Sequence, residues 1–339
     1  MKHAALLINL GSPESTDTKD VKKYLGEFLM DDHVIDLPYF GRMLLVKGII
    51  LNTRPKKSAA AYKNIWWEEG SPLIVLSKRL RKKVQEVSDF PVYLAMRYAQ
   101  PSISDTLKKI KAENNDLEKI FVIPLYPHFA MSSYETVIDR VNEVMKSEHP
   151  DIRIEFQEPY YNDEEYIEVL AASIRRELPE DHHLLFSYHG IPVRHLRKSD
   201  ETQSHCWQVE NCCAIDSPAH QTCYRHQTIE TTRLVNEKLG MDRKNSSQSF
   251  QSRLGRDEWL TPYTSEVFKL YPEQGIKKLA VVCPAFVSDC LETMEEINIE
   301  GRKEFLESGG ESFVNIPCLN DDEDWAKLLG SWINKRLKA

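Results

Sequence analysis

Four cysteines lie close together in one short internal stretch of the chain, spaced Cys206-X5-Cys212-Cys213-X9-Cys223. Four thiolates within such a short segment can hold a [2Fe–2S] cluster or a tetrahedral zinc ion. The adjacent pair Cys212-Cys213 and the absence of a C-x2-C pair fit a zinc knuckle poorly, but both a cluster and a zinc ion stay open at this point. Mixed ligation stays open because three histidines are nearby: His205, His220 and His226.

A histidine upstream of the cysteines ends an apolar run, in the segment Leu184-Leu-Phe-Ser-Tyr-His-Gly-Ile-Pro192. Gly190 and Pro192 predict a turn directly after His189, which places the imidazole at the end of a buried strand. Imidazole changes protonation near neutral pH, and this suits a catalytic base or a metal ligand. A histidine satisfied within the core is the competing interpretation.

A row of carboxylates follows the apolar run that ends near Cys283. On a helix, acidic residues spaced by three or four positions fall on one face, and here they are Asp289, Glu292, Glu296 and Glu300. Like charges in a row repel one another, so a solvated acidic surface is the competing interpretation. A carboxylate row that enters a cleft can pass a divalent cation or protons between solvent and a site.

Apolar strand-like runs alternate with amphipathic stretches of helical length along the chain. The predicted strands are 4–10, 92–98, 119–126, 153–158, 183–188, 247–252, 278–283 and 312–317, and helices are expected at 103–112, 133–147, 164–177 and 321–338. Continuous apolar strands between helices are typical of a parallel sheet that is covered on both faces. The predicted class is therefore α/β.

The two halves of the chain repeat each other loosely. Lys119-Ile-Phe-Val-Ile-Pro-Leu-Tyr-Pro followed by Ser133-Tyr-Glu-Thr136 resembles Lys278-Leu-Ala-Val-Val-Cys-Pro-Ala-Phe followed by Cys290-Leu-Glu-Thr293. We expect two similar doubly wound halves with four parallel strands each, facing across a cleft that binds ligand at the strand ends. The expected domains are 1–160 plus 318–339, and 161–317 with a cysteine-rich insertion at 199–226.

Composition excludes several classes of function. The 339-residue chain carries a net charge of −8, which argues against binding of nucleic acid. Neither a G-x-G-x-x-G after the first strand nor a P-loop is present, so nucleotide binding is not expected. Seven cysteines without a secretory signal argue against a disulfide framework and favour a cytoplasmic protein. The apolar stretch 37–51 is too short to span a bilayer, and is either a core helix or an interfacial segment.

Several motifs resemble those of the ferrochelatase family and occur in the family's order over nearly the whole chain. They are Leu7-Ile-Asn-Leu-Gly-Ser-Pro13, Gly70-Ser-Pro-Leu73, Met96-Arg-Tyr98, Tyr126-Pro127, Leu185-Phe-Ser-Tyr-His-Gly-Ile-Pro192, Gln251-Ser-Arg-Leu-Gly-Arg-Asp-Glu-Trp-Leu260 and Cys283-Pro-Ala-Phe-Val-Ser-Asp-Cys-Leu-Glu-Thr-Met-Glu-Glu-Ile297. The resemblance implies two Rossmann-like halves without a nucleotide. It also implies insertion of ferrous iron into protoporphyrin IX to form protohaem, the terminal step of haem biosynthesis.

The resemblance assigns roles to the residues at the predicted strand ends. His189 is implied as the base or a metal contact, with Glu292 opposite it. Asp289, Glu296 and Glu300 are implied as a path for protons or metal. The porphyrin-pocket candidates are Leu10, Arg97, Tyr126 and Trp259, together with Arg54 and Lys56, which either pair with propionates or are solvated on the surface.

The resemblance also bears on cofactor and location. Many relatives hold a [2Fe–2S] cluster with one cysteine in the first half and three near the C-terminus, whereas here the four cysteines lie in the internal insertion. Because such clusters recur in the family, the resemblance makes a [2Fe–2S] cluster on Cys206, Cys212, Cys213 and Cys223 the preferred prediction and zinc the weaker alternative. The segment near 37–56 is similar to a hydrophobic lip that meets the membrane, so we expect a cytoplasmic protein with peripheral contact at the inner membrane. The alternative functions are a cobalt or nickel tetrapyrrole chelatase and a non-enzymatic iron–sulfur or haem sensor. The oligomeric state is not predicted.

Overall fold

The predicted strands form two four-stranded parallel sheets in a computed structural model that describes residues 2–253, 255 and 257–338. The prediction of an α/β fold with two similar Rossmann-like halves is confirmed by these sheets. Within the described residues the strands are β1 (His3–Asn9), β2 (Val92–Met96), β3 (Lys119–Pro124), β4 (Arg153–Phe156), β5 (His183–His189), β6 (Ser246–Gln251), β7 (Lys278–Val282) and β8 (Ser312–Asn315).

The first compact unit comprises Met1–Tyr126, Met131–Glu158 and Asn320–Ala339. Its sheet has the order β2-β1-β3-β4, and the central strand β1 is buried from Ala4 to Ile8. The C-terminal helix packs on this unit, against the helix at 72–87. The helices are α1 (Thr18–Leu29), α2 (Tyr39–Met43), π1 (Leu44–Ile50), α3 (Leu51–Thr53), α4 (Pro55–Ile65), α5 (Pro72–Val87), α6 (Ile103–Glu113), π2 (Met131–Glu135), α7 (Thr136–Glu148) and α13 (Glu323–Lys338).

The second compact unit comprises Pro127–Ala130 and Pro159–Leu319. Its sheet has the order β6-β5-β7-β8, which matches the first sheet strand for strand. Short 3-10 turns occur at Cys212–Ala214, Pro218–Gln221 and Arg243–Asn245. The longer helices are α8 (Glu164–Glu177), α9 (Val193–Ser199), α10 (Tyr224–Leu239), α11 (Thr264–Glu273), π3 (Glu292–Gly301) and α12 (Arg302–Glu307).

The sequence explains why these elements form. The strands are nearly continuous apolar runs because both faces of each parallel sheet are covered. Local caps start two of the helices: the Ser102 hydroxyl accepts from the amide of Asp105 at α6, and Asp163 accepts from the amide of Tyr166 at α8. Since all strands of a sheet run in parallel, the residues after β1, β2 and β3 share one edge of the first sheet. The residues after β5, β6 and β7 share the corresponding edge of the second.

In the part of the chain that the structure describes, three helices have π geometry, a form that is frequent at functional sites. They are π1 in the predicted lip, π2 after β3, and π3 in the carboxylate row. Among the helices of the described residues, none is long and apolar enough to cross a membrane.

Candidate active site

His189 is the last residue of β5 and is half-buried. Its Nδ1 lies 2.7 Å from the carbonyl oxygen of Gly190. A carbonyl only accepts, so Nδ1 carries the hydrogen and the neutral ring keeps a lone pair on Nε2. The ring edge packs on Phe286 with centroids 6.1 Å apart, and the Tyr224 hydroxyl donates to the His189 carbonyl at 2.8 Å. The imidazole is therefore held in one tautomer with one nitrogen able to accept a proton or a metal.

Glu296 is the carboxylate most tightly held beside His189. It accepts hydrogen bonds from the Ser252 amide at 3.1 Å and the Ser252 hydroxyl at 2.6 Å. Burial raises the pKa of Glu296, while the Ser252 hydrogen bonds and the charge of His189 lower it, and the charge of Glu292 raises it. Because the charges of His189 and Glu292 both affect the pKa of Glu296, these three side chains lie close together in one site.

The carboxylate row runs from solvent towards the protein interior. Glu300 is exposed, Glu296 and Glu292 are partly buried, and Asp289 is 8% exposed. The π3 helix begins at Glu292, so Asp289 precedes the helix and does not lie on its face as predicted. The reason is local: the Asp289 carboxylate accepts from the Thr293 hydroxyl at 2.7 Å, across the start of the helix. The buried Cys290 thiol contacts the Glu292 carboxylate.

Three predicted pocket residues follow the strands of the first sheet at one edge. Leu10 follows β1 and is partly buried against the apolar core, whereas Tyr126 follows β3 and is 8% exposed. Arg97 follows β2, and its amide donates to the Asn9 carbonyl at 2.8 Å. Its guanidinium also donates through Nε to the Thr136 hydroxyl at 2.8 Å and through Nη2 to Asp31.

Trp259 belongs to the second unit and lies beside the turn that follows His189. It pairs with Pro192 in an antiparallel bridge. A Cβ added at Gly190 would lie 3.4 Å from the Trp259 ring and 3.0 Å from two backbone carbonyl oxygens, so a larger residue would force this turn to shift. Arg54 and Lys56 are exposed at the start of α4.

The predicted lip carries several exposed apolar side chains. Phe40 is 74% exposed, and the others are Leu37, Tyr39, Leu44 and Ile49. Arg42, a cation inside this apolar segment, is 7% exposed and donates to the carbonyls of Ile35 and Leu37. The Arg42 guanidinium therefore stabilises the backbone at the base of the lip through these hydrogen bonds.

The four cysteines of the insertion converge in the second unit as free thiols. Cys206, Cys212 and Cys223 are buried, and Cys213 is half-buried. The thiols form a series of contacts: Cys206 contacts Cys223, Cys223 contacts Cys213, and Cys213 contacts Cys212. The hydrogen bond with Cys206 and burial raise the pKa of Cys223 to about 12, although the contact with Cys213 lowers it. Within the described part of the chain, no three of these sulfur atoms all lie within 4.8 Å of one another.

Polar groups brace the backbone around these thiols. The buried Asp200 carboxylate accepts from the amides of His205 and Cys206, each at 2.8 Å. Burial raises the pKa of Asp200, but hydrogen bonds from the Thr202 side chain and from backbone amides bring it down to about 2. Three imidazoles donate to the carbonyls of Cys212 and Cys213 and are thereby diverted from ligation through those nitrogens: His205, His220 and His226.

Several site residues were missed by sequence reasoning. Ser252 holds Glu296 from a left-handed backbone conformation with φ of 58°. It lies inside a segment that carries the family resemblance, so its position was a signal that went unused. Asp31 accepts a hydrogen bond from the Arg97 guanidinium, but it gave no such signal because it lies 66 positions from Arg97 in the sequence.

Comparisons with known proteins agree with this arrangement. The sequence model of the ferrochelatase family matches residues 2–337. The chain is 48% identical over 332 residues to the ferrochelatase of Pseudomonas fluorescens strain Pf0-1, covering 97% of this chain and 96% of that protein. It is 46% identical over 340 residues to the ferrochelatase of Opitutus terrae, covering 99% and 98%.

Two solved structures share the fold. Sirohydrochlorin chelatase SirB from Bacillus subtilis subspecies spizizenii, in complex with cobalt, aligns with a TM-score of 0.54 at 12% identity, over 99% of this chain and 95% of that chain. SirB from Bacillus subtilis with Fe3+ aligns with a TM-score of 0.52 at 15% identity, over 100% and 95%. These likenesses concern the fold alone, whereas the sequence matches are close and run end to end. The chain therefore belongs to the ferrochelatase family.

Proposed function

We propose that this chain inserts ferrous iron into protoporphyrin IX and releases two protons, forming protohaem in the terminal step of haem biosynthesis. As a class the enzyme is a lyase. The observation that carries the proposal is the half-buried His189, whose Nδ1 donates to the Gly190 carbonyl so that Nε2 keeps its lone pair, near Glu292 and Glu296 in a member of the ferrochelatase family.

The two pyrrole N–H protons must leave the macrocycle as iron enters it. His189 accepts them at Nε2, because Nδ1 already donates to the Gly190 carbonyl. The imidazolium passes each proton to the carboxylate row. Glu296 suits this step, since burial brings its pKa closer to neutrality than that of a solvated carboxylate.

The same row offers a route for the iron. A ferrous ion prefers carboxylate and imidazole ligands to an apolar wall, and the row changes from exposed at Glu300 to buried at Asp289. We assign Glu292 as the carboxylate that holds iron opposite His189 before insertion. Its contact with Cys290 limits the positions that this carboxylate adopts.

Apolar and cationic side chains of the first unit are the proposed contacts of the macrocycle. Leu10 and Tyr126 supply apolar surface at the strand ends, and Arg97 supplies a donor at the end of β2. In the second unit, Trp259 supplies an aromatic surface beside the turn that follows His189. Arg54 and Lys56 are exposed cations beside the lip and pair with the propionates. An apolar grip suits the lipophilic protoporphyrin better than a porphyrin with more carboxylates.

The four cysteines of the insertion would hold a [2Fe–2S] cluster. The thiols of Cys206, Cys212, Cys213 and Cys223 lie in contact with one another along one series, and a set of four thiolates is what a [2Fe–2S] cluster takes. A tetrahedral zinc ion accepts the same four thiolates and is the weaker alternative. When bound, the cluster supplies a one-electron redox centre and a crosslink within the insertion. Because metal binding displaces thiol protons, assembly is favoured at higher pH.

The lip gives the protein a peripheral contact with the membrane. Its exposed apolar side chains can enter the interface while neighbouring cations stay with the headgroups. Phe40→Asp should lower binding to anionic vesicles in a flotation assay by about tenfold, because a charge replaces an exposed ring that would insert into the membrane. Leu270→Asp, at an exposed apolar residue of the second unit, is the matched control and should leave binding unchanged.

The proposed activity is tested with purified protein under anaerobic conditions. The expected result is haem formation from protoporphyrin IX and ferrous iron, with slower insertion of cobalt and nickel. A preference for cobalt or nickel with another tetrapyrrole would move the chain to the alternative chelatase function. Porphyrin binding without insertion of any metal would support a sensor and overturn the proposal.

A further inference from the structure

The side chain of Asp31 is the meeting point of an extended hydrogen-bond network in the first unit. It is 4% exposed, and its Oδ2 accepts from the Tyr98 hydroxyl at 2.8 Å, from the Thr136 hydroxyl at 2.6 Å and from Arg97 Nη2. Its Oδ1 accepts from the amide of His33 at 2.8 Å and lies 3.1 Å from His33 Nδ1. Hydrogen-bond donors occupy both oxygens of this buried carboxylate, so Asp31 holds the donor groups in place.

His33 extends the network to the surface. Its Nε2 lies 3.0 Å from Asp139 on α7, so the imidazole bridges two carboxylates. The hydrogen bond with Asp31 raises the pKa of His33 to about 9, against the effect of burial. Burial raises the pKa of Asp31, but hydrogen bonds from His33 and Thr136 and the charge of Arg97 hold it well below its ordinary value. At neutral pH the network therefore consists of charged, paired groups.

Ligand atoms of Asp31, Asp32 and His33 lie within 4.8 Å of one another, which resembles a cation site. The hydrogen bonds argue against that use. A metal at Asp31 would have to displace a guanidinium and two hydroxyls, and His33 Nδ1 is already engaged with Asp31. The network is better explained by what it does to Arg97.

Arg97 is left with one nitrogen for a ligand. Nε donates to Thr136, to its hydroxyl at 2.8 Å and its carbonyl at 3.1 Å, and Nη2 donates to Asp31. The guanidinium also lies over the Tyr98 ring, 4.5 Å from the centroid. Within the described residues Nη1 has no hydrogen-bond partner. Two sides of the guanidinium are thus fixed, and the third is available at the sheet edge that also presents Leu10.

We infer that Asp31 is a positioning residue for porphyrin binding, which orients Arg97 so that Nη1 donates to an acceptor of the macrocycle. The inference rests on the proposed function only in taking a porphyrin as the ligand. Because Asp31 also cancels the charge of Arg97, the arginine acts as a directed hydrogen-bond donor rather than as a general anion anchor. Such a contact is made before and during insertion, so its loss should raise KM and leave kcat nearly constant.

The test is a double-mutant cycle on the affinity for protoporphyrin IX, and the affinity is measured by porphyrin fluorescence in the absence of iron. Asp31→Asn should weaken binding by about tenfold in the otherwise unchanged protein, and by less than about twofold in the Arg97→Leu variant. Glu118→Gln is the matched control: it removes a carboxylate of the same unit that pairs with Lys2 at the surface, outside this network, and should leave affinity unchanged. Equal weakening with and without Arg97, or none at all, would overturn the inference.

A second pair of variants keeps the test decisive if Asp31→Asn fails to fold. Thr136→Val removes the hydroxyl between Asp31 and Arg97 without leaving a buried charge unpaired, and should weaken binding several-fold. Thr136→Ser restores the hydroxyl and should restore affinity. Equal affinity in the valine and serine variants would contradict the inference. If the wild-type protein binds porphyrin but inserts no metal, the proposed function fails while the positioning role of Asp31 is still measured.

Discussion

The two halves of this protein share one sheet order but differ in the chemistry at their strand ends. In the first half, Arg97 after β2 is paired with Asp31, and its charge is neutralised within the same half. In the second half, His189 at the end of β5 keeps Nε2 open, and a carboxylate row begins close by. The first arrangement is closed and rigid, whereas the second can exchange protons or metal.

The repeated scaffold therefore carries different side chains at the strand ends of its two halves. The fold brings the residues after three parallel strands to one edge in each half, and side-chain identity then decides what that edge does. Under the proposed function, the first half binds and orients the macrocycle, and the second half handles protons and metal. The cysteine-rich insertion is a further specialisation of the second half.

The largest expected effect comes from removing the open nitrogen of the second half. His189→Ala should lower kcat for haem formation by about 10²–10⁴-fold while porphyrin affinity stays close to that of the wild type. Stopped-flow absorbance under anaerobic conditions measures both. His183→Ala, at the opposite end of the same strand, is the matched control and should retain turnover. Retained turnover in His189→Ala would break the proposed division.

The second effect concerns the insertion that only the second half carries. Cys213→Ser should remove the visible absorption and the reduced-state EPR signal of a [2Fe–2S] cluster, because serine is a poor substitute for one of four thiolate ligands. Cys318→Ser changes a buried cysteine outside the insertion and should keep the colour. A fully coloured Cys213→Ser protein would show that the ligand set is wrong.

A smaller effect is expected where the carboxylate row is tuned. Ser252→Ala removes the 2.6 Å hydrogen bond to Glu296, and since that bond lowers the pKa of Glu296, the pKa should rise further. The acid limb of the kcat/KM profile should move to higher pH, with a loss of about three- to tenfold on that limb and little change at the optimum. Ser247→Ala, near the start of β6, should leave the profile in place. An unshifted profile in Ser252→Ala would remove Glu296 from the proton path.

The smallest effect tests the closed network of the first half. The pKa of His33 is raised from 6.5 to about 9, so its stabilising contribution is fully present below pH 6.5 and is lost as pH rises through about 9. On the order of 1 kcal/mol should therefore disappear from the free energy of unfolding over that range. His33→Gln should flatten this dependence in denaturant titrations at several pH values. An equal loss in both proteins would assign the pH dependence to other groups.

Much of the fold was predictable from sequence because the signals are local. The continuous apolar runs at 119–126 and 278–283 identified β3 and β7 to within two residues, and the loose repeat predicted two sheets of four strands. His189 was found because Gly190 and Pro192 mark the end of its strand. Its tautomer was not, because that depends on the path of the backbone through Gly190.

The remainder of the site depends on contacts between residues distant in sequence. Asp31 meets Arg97 across 66 positions and Thr136 across 105, and nothing near Asp31 marks it as their partner. The π geometry of residues 292–301 was also hidden, since a spacing of four is compatible with both α- and π-helices. Asp289 was assigned to that helix by spacing alone, and its bond to Thr293 shows why it lies outside.

The most direct test of the division between the halves is one single-turnover experiment on two variants. Porphyrin affinity and the rate of iron insertion at saturating porphyrin are measured on the same samples of His189→Ala and Asp31→Asn. The account predicts that His189→Ala binds porphyrin normally and inserts iron about 10²–10⁴-fold more slowly, and that Asp31→Asn binds weakly but inserts iron at nearly the wild-type rate once saturated. The reverse pattern, or the loss of both properties in each variant, would contradict it.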